Sequence, residues 1–111
     1  MWIISHKRLK DFWEQPGHAN AQKPLEEWYD ITDESTWKNF SDVRGTFAKA
    51  SLVGDCVVFN ILSNHYRLVT RIRYRSHKVY ILKVMTHEEY DDQDKWQDDC
   101  GCHVPPPGQS E

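Results

Sequence analysis

The stretch from Val53 to Thr86 most constrains the fold, because β-branched and aromatic residues dominate it and turn residues interrupt it twice. It predicts strands at about 55–62, 65–75 and 78–86, with turns at Ser63-Asn64 and near Ser76-His77. Three consecutive strands joined by tight turns form an antiparallel meander. A chain of 111 residues has room for one domain around such a sheet and not for two.

Two amphipathic segments precede the sheet, after a short strand at 2–4. Ser5 is a suitable N-cap for the first helix, and a second helix begins near Asn20 with Pro24 in its first turn. Apolar residues recur at helical spacing: Leu9, Phe12 and Trp13 in the first helix, and Leu25, Trp28, Tyr29 and Ile31 in the second. Residues 37–47 predict irregular chain with one helical turn after Ser41. Both apolar stripes are expected to pack on the sheet.

Turn lengths determine which residues face each other across the sheet. If both turns have two residues, Asn60 faces Arg67 and Arg67 faces Thr86. Alternation then puts polar residues on one face: Asn60, Arg67, Arg71 and Arg73. The opposite face carries Val57, Phe59, Ile61, Leu68, Ile72, Ile81 and Met85. We expect the helices to cover the apolar face and the polar face to stay open, with His87 and Tyr90 at its end.

Every charged residue between Cys56 and His87 is basic. These residues are Arg67, Arg71, Arg73, Arg75, Lys78 and Lys83, in a chain of net charge −3. Such a concentration of one sign is typical of a phosphate-binding surface. The alternative is a solvated hairpin whose basic residues block edge pairing.

An imidazole lies at the end of the third predicted strand, where the apolar run stops at Thr86-His87 and an acidic segment begins. A free histidine has a pKa of about 6.5, so this residue type transfers protons near neutral pH. In the alternative interpretation His87 caps a helix, Tyr90 packs on the sheet edge and Arg67 pairs with Asp91. The other histidines before residue 100 are expected to be solvated: His6, His18, His65 and His77.

The cysteines, the absence of a targeting segment and the C-terminal tail indicate the cellular compartment and whether a disulfide or zinc site is expected. Three cysteines make a disulfide framework unexpected, and Cys56 is predicted to pack as a small hydrophobe. We expect a cytoplasmic protein, because no signal peptide or membrane-spanning run is evident. Residues 97–111 predict a flexible, acidic, proline-rich tail, and Cys100-Gly101-Cys102-His103 lacks the spacing of a zinc site.

Several short motifs over positions 1–96 occur together in a characteristic order. They are Ile4-Ser5, Leu9, Phe12-Trp13, Pro24-Leu25, Trp28-Tyr29, Trp37, Asp42-Val43, Ala50-Ser51, Val58-Phe59-Asn60, Asn64, Tyr66-Arg67-Leu68 and Thr86-His87-Glu88-Glu89-Tyr90-Asp91. On these residues the chain resembles the HigB-type toxins of the RelE superfamily, the mRNA-cleaving halves of bacterial toxin–antitoxin pairs. The resemblance implies an α+β fold over residues 1–96, with two N-terminal helices on a small, mainly antiparallel sheet and a short C-terminal helix.

The resemblance also implies an activity and partners. The implied activity is endonucleolytic cleavage of mRNA, usually in the ribosomal A site, without metal or cofactor, and the implied partner is a HigA-type helix-turn-helix antitoxin. In metal-free cleavage the ribose 2′-OH attacks the adjacent phosphate, which requires proton transfer and cations near the transition state. His87 is the candidate acid or base, Tyr90 its partner and Arg67 the cation, because a guanidinium can bind two phosphate oxygens. The expected substrate contacts are Asn60, Arg71, Arg73 and Lys83.

One position departs from the family pattern. Leu82 stands where many relatives have an arginine, and strand alternation directs the neighbouring Lys83 to the apolar face. A non-catalytic relative that binds RNA or the antitoxin is therefore the alternative function. A small module that binds an acidic protein through the basic face is a third interpretation.

Overall fold

The computed structural model describes residues 1–102, apart from the side chains at 93–95 and 98. Five strands, five α-helices and one 3₁₀ turn are present in this part of the chain. In chain order they are β1 (Trp2–Ile4), α1 (His6–Trp13), the 3₁₀ turn (Ala19–Ala21), α2 (Gln22–Glu34), α3 (Phe40–Thr46), β2 (Ser51–Val53), β3 (Cys56–Ile61), β4 (Tyr66–Arg73), β5 (Lys78–Thr86), α4 (His87–Asp91) and α5 (Gln93–Cys100). The predicted α+β class is confirmed.

The helices form where the apolar spacing predicts them. The three predicted α1 residues are all buried, as are Leu25 and Trp28 of α2. Ile31 is 45% exposed, however, and Thr32 takes the buried place on that side of α2, so the predicted stripe is wrong at Ile31. Helix α3 has two turns where one was predicted, because the Asn39 side chain accepts a hydrogen bond from the Asp42 backbone N–H and caps its start.

The sheet is mixed, with strand order β1-β5-β4-β3-β2. Strands β3, β4 and β5 form the predicted antiparallel meander. Strand β1 pairs with β5 in parallel, and β2, which the sequence pattern did not predict, pairs with β3 antiparallel. The sheet is thus mainly antiparallel, and the meander forms its centre.

The predicted register holds in the first hairpin and fails in the second. Asn60 faces Arg67 as predicted. In the second hairpin Arg73, not Arg75, pairs with Lys78, because residues 74–77 form a longer loop. Farther along, Arg67 therefore faces Met85 and not Thr86.

A β-bulge at Leu82 partly offsets the longer loop and changes which face β5 presents. Val69 pairs with Lys83 while Thr70 pairs with Ile81, so Leu82 is the extra residue. Directly opposed residues share a face, and Lys83 consequently shares the face of Val69. The predictions that Lys83 and Met85 lie on the helix-covered face are therefore wrong.

Apolar clusters cover both faces of the sheet. On one face α1 and α2 pack against the cluster that includes Phe59, Leu68 and Val79. The other face holds a second buried cluster: Cys56, Val58, Val69, Met85, Trp96 and Cys102. The prediction of an open polar face is wrong, because Trp96 of α5 is 2% exposed against this face.

A disulfide joins Cys56 to Cys102 across 46 positions of sequence. Cys56 is buried as predicted, but the expectation of an unbonded thiol is wrong. Residues 97–100 lie in α5 and Cys102 is buried, so the first part of the predicted flexible tail is ordered against the sheet. Residues 103–111 lie outside the described part of the chain, and a flexible segment there stays a prediction. No helix within residues 1–102 has both the length and the apolarity needed to cross a membrane.

Candidate functional site

The chain changes direction where β5 ends and α4 begins. Thr86 caps α4: its hydroxyl accepts a hydrogen bond from the Glu89 backbone N–H, and the Glu89 carboxylate accepts one from the Thr86 N–H. His87 is thus the first helical residue and is not itself the cap. Its backbone N–H donates to the carbonyl of His65 at 3.1 Å, which joins the start of α4 to the β3–β4 turn.

A cleft of about 510 Å³ opens at this junction. Its lining residues come from three segments of the chain: Gly17, His18, Asn64, His65, Tyr66, Thr86, His87 and Glu88. Three imidazoles therefore line one cleft, although His18 and His65 were predicted to be merely solvated. His65 is exposed, whereas His18 is partly buried and stacks on Phe12 with ring centroids 4.3 Å apart.

The meander contained the signal that would have found His65. Tyr66 is the first residue of β4 and pairs with Thr86, the last residue of β5. The residues just before Tyr66 and just after Thr86 must therefore be neighbours, which brings His65 to His87. His18 carried no such signal, because its position depends on how the chain between α1 and α2 packs.

The side chain of His87 remains accessible to a substrate. It is 51% exposed, and its Nε2 lies 3.5 Å from Oδ2 of Asp91, one turn along α4. An exposed pair of this kind contributes little to stability. Asp91 therefore pairs with His87, and not with Arg67 as in the alternative interpretation of the sequence.

Arg67 is 8% exposed and is held by three hydrogen bonds. Its Nη1 donates to the carbonyls of Asn64 at 3.1 Å and Tyr66 at 3.2 Å, and its Nη2 donates to the Asn64 side-chain oxygen at 3.2 Å. The guanidinium carbon lies 5.1 Å from the centroid of the Tyr90 ring, within range of a cation–π interaction. The structure thus brings Arg67 and Tyr90 together, as the sequence grouped them.

Trp96 holds the other side of Tyr90. The two rings stack with centroids 5.1 Å apart and planes inclined by 22°. The indole N–H of Trp96 also donates to the Tyr90 carbonyl at 2.8 Å. Arg67, Tyr90 and Trp96 therefore form a continuous stack, and Trp96 is a neighbour of Tyr90 that the sequence pattern did not predict.

Arg71 belongs to a clamp on the C-terminal segment. Its guanidinium forms an ion pair with Asp55, with Nε 3.0 Å from Oδ2, and donates to the carbonyls of Cys100 at 3.3 Å and Gly101 at 3.0 Å. These contacts hold the end of α5 beside the Cys56–Cys102 disulfide. Phosphate binding by Arg71 stays a prediction.

The other three predicted substrate contacts lie in different places. Lys83 lines a small cavity with Glu89, Asp92 and Trp96, next to α4. Asn60 lines a separate cavity beside α2. Arg73 lies six positions along β4 from Arg67, about 20 Å away at the rise of an extended strand. Of the three, Lys83 lies beside Trp96, the residue that stacks on Tyr90.

Cys100 is the third cysteine and has a free thiol. Burial raises the pKa of the Cys100 thiol, and the positive charge of Lys83 opposes that rise. Within the described ranges, no group of three or more His, Cys, Asp or Glu side chains is arranged to hold a metal ion.

Comparison with known proteins gives a family and three close relatives. A family model described as HigB_toxin, RelE-like toxic component of a toxin-antitoxin system, matches residues 21–93. The mRNA interferase toxin HigB of Escherichia coli (strain K12) is 50% identical to the chain over 95 residues. The proteins named mRNA interferase HigB in Escherichia coli O157:H7 and Shigella flexneri have the same identity. Each match covers 82% of this chain and 88% of the relative.

Proposed function

This chain belongs to the HigB family of RelE-like toxins of toxin–antitoxin systems, and we propose that it is an endoribonuclease that cleaves mRNA. The relatives bear the name mRNA interferase, and we extend that activity to this chain. We further propose that cleavage takes place on the ribosome and requires no metal. A HigA-type helix-turn-helix antitoxin is the proposed partner that silences the toxin.

The cleft lined by His87 is the observation that carries the proposal. Attack by the ribose 2′-OH on the neighbouring phosphate needs groups that move protons and positive charge near the phosphorus. His87 offers an accessible imidazole at a strand end that a capped helix fixes in place. This arrangement supports a reaction in which the RNA supplies its own nucleophile.

The proposed roles follow from these contacts. His87 transfers a proton, and Tyr90 lies one turn away on the same short helix. Arg67 supplies positive charge from behind the Tyr90 ring and fixes that ring's position. The proposed contacts to the rest of the RNA are Asn60, Arg71, Arg73 and Lys83. Arg71 also pairs with Asp55 and donates to C-terminal carbonyls.

The proposed location is the cytoplasm, where ribosomes translate mRNA. Disulfides are uncommon in that compartment. In a reducing environment Cys56 and Cys102 would be thiols, buried against the same apolar cluster.

Inducible expression in a bacterium that lacks the cognate antitoxin tests the proposal. We expect growth arrest within minutes, with new mRNA 5′ ends in phase with the reading frame. His87→Ala should abolish both effects while the protein still folds and still binds its antitoxin. His77→Ala is the matched control, because His77 is an exposed histidine in the β4–β5 loop and should leave toxicity unchanged.

Three outcomes would contradict parts of the proposal. Normal growth and intact messages from well-expressed, folded protein would favour the non-catalytic relative. Arrest that persists in His87→Ala would refute the role of His87 but not the toxin activity. Metal independence can be tested with purified toxin and ribosomes, at a magnesium concentration that keeps the ribosomes intact. If a chelator of the catalytic metal stops cleavage under these conditions, metal independence is refuted.

A further inference from the structure

His65 is held in one orientation by the turn that carries it. Its Nδ1 lies 3.0 Å from the carbonyl oxygen of Leu62. A carbonyl oxygen can only accept, so Nδ1 must carry the hydrogen in this contact. In the neutral imidazole, Nε2 then has no hydrogen and presents its lone pair, which is the form that a general base requires.

His65 and His87 lie on neighbouring segments that are joined directly. The His87 backbone N–H donates to the His65 carbonyl, and both side chains line the same cleft. The cleft volume falls within the range of about 300–1,000 Å³ that is usual for ligand sites. Two imidazoles from different segments can thus approach one bound nucleotide.

The surroundings of His87 suit a general acid. With Nε2 directed toward the Asp91 carboxylate at 3.5 Å, Nδ1 is the nitrogen left to give a proton to a substrate. The carboxylate balances the charge of the doubly protonated ring. The ring of His65 has a different partner, because it bonds to the neutral carbonyl of Leu62.

We propose that His65 is the general base and His87 the general acid of the cleavage reaction. This inference rests on the proposed function. Nε2 of His65 takes the proton of the 2′-OH as the O2′–P bond forms, and His87 gives a proton to the 5′ oxygen as the P–O5′ bond breaks. The products are a 2′,3′-cyclic phosphate and a 5′-OH end. His65 gains one proton and His87 loses one, so the step balances without a further reactant.

Other ionisable groups within the described residues lie near the pair. His18 and Glu88 line the cleft, Tyr66 adjoins His65, Arg67 lies on the same strand as Tyr66, and Asp91 contacts His87. His18 is stacked on Phe12 and is edge-on to Tyr66, which suits it to form the wall of the cleft and not to move a proton.

Single-turnover cleavage of ribosome-bound mRNA between about pH 5 and pH 9 tests the inference. A general base must be neutral, so the rate should fall at low pH, and a general acid must be protonated, so the rate should fall at high pH. His65→Gln should lower the rate about 100- to 10,000-fold and remove the fall at low pH. His87→Gln should remove the fall at high pH instead. His77→Gln, an exposed histidine outside the cleft, should match wild type.

A substrate with sulfur in place of the bridging 5′ oxygen separates the two roles, because a thiolate leaves without protonation. It should restore cleavage by His87→Gln and leave His65→Gln impaired. If wild type cleaves RNA and the rate of His65→Gln stays within twofold of the wild-type rate at every pH, the inference is overturned but the proposed function is not. Wild-type protein that cuts no RNA would overturn the proposed function and the inference with it. Circular dichroism confirms folding, and His65→Asn replaces His65→Gln if the latter unfolds.

Discussion

The Arg67 side chain holds the β3–β4 turn and also places a positive charge beside the Tyr90 ring. Its guanidinium is almost buried, yet it bonds two backbone carbonyls and one side-chain amide around the β3–β4 turn. The same group faces the Tyr90 ring. The planar fork suits this environment, whereas a lysine ammonium would be a single point charge on a flexible stem. His65 and Arg67 thus depend on the same turn for their positions.

Arg67→Lys should therefore destabilise the protein by about 2 kcal/mol, because buried acceptors lose hydrogen bonds to a charged group. Urea denaturation measures this as a lower free energy of unfolding. Arg75→Lys is the matched control: Arg75 is exposed in the β4–β5 loop, and its replacement should change stability by less than about 0.5 kcal/mol. Equal stabilities of the two variants would contradict the structural role assigned to Arg67.

Helix α5 packs against the proposed site residue Tyr90. All of it except its first residue lies beyond residues 21–93, the range that the family model matches, yet its Trp96 stacks on Tyr90 and bonds to the Tyr90 carbonyl. The clamp made by Arg71 holds the far end of the same helix. This short helix is thus held by Trp96 at its middle and by the Arg71 hydrogen bonds at its C-terminal end.

Trp96 substitutions separate the two contacts with Tyr90. Trp96→Phe keeps a stacked ring but loses the hydrogen bond, and should lower stability by about 1 kcal/mol. Trp96→Ala also leaves a cavity against the sheet and should cost about 3–5 kcal/mol. We expect the cleavage rate to fall in the same order, at a temperature where both variants are folded. Full activity in folded Trp96→Ala would show that the stack does not position Tyr90.

At the scale of the whole molecule, the sheet is covered on both faces. Helices α1 and α2 cover one face, and the α5 segment covers the other. The Cys56–Cys102 disulfide joins the interior strand β3 to the end of the described chain. Each face thus has its own apolar cluster, and the disulfide lies within the smaller cluster.

Cys102→Ser should lower the free energy of unfolding by about 4 kcal/mol under oxidising conditions, because the bond closes a loop of 46 positions in the unfolded chain. Adding a reductant to wild type should have a similar effect. Cys100→Ser removes the free thiol and keeps the disulfide, so its stability should be close to wild type. Identical melting temperatures for Cys102→Ser and Cys100→Ser would contradict a stabilising bond.

Local sequence patterns predict the buried stripe of α1, the β3–β5 meander, the Asn60–Arg67 pairing and the position of His87 at a strand end. Helical spacing, strand alternation and a two-residue turn are local, so a short window contains the information. Other features depend on contacts between distant segments and are visible only in the tertiary structure. These are the bulge that turns Lys83, the disulfide, the cover over the polar face, and the placement of His18 in the same cleft as His87. Each depends on packing between segments far apart in the chain, which no local pattern encodes.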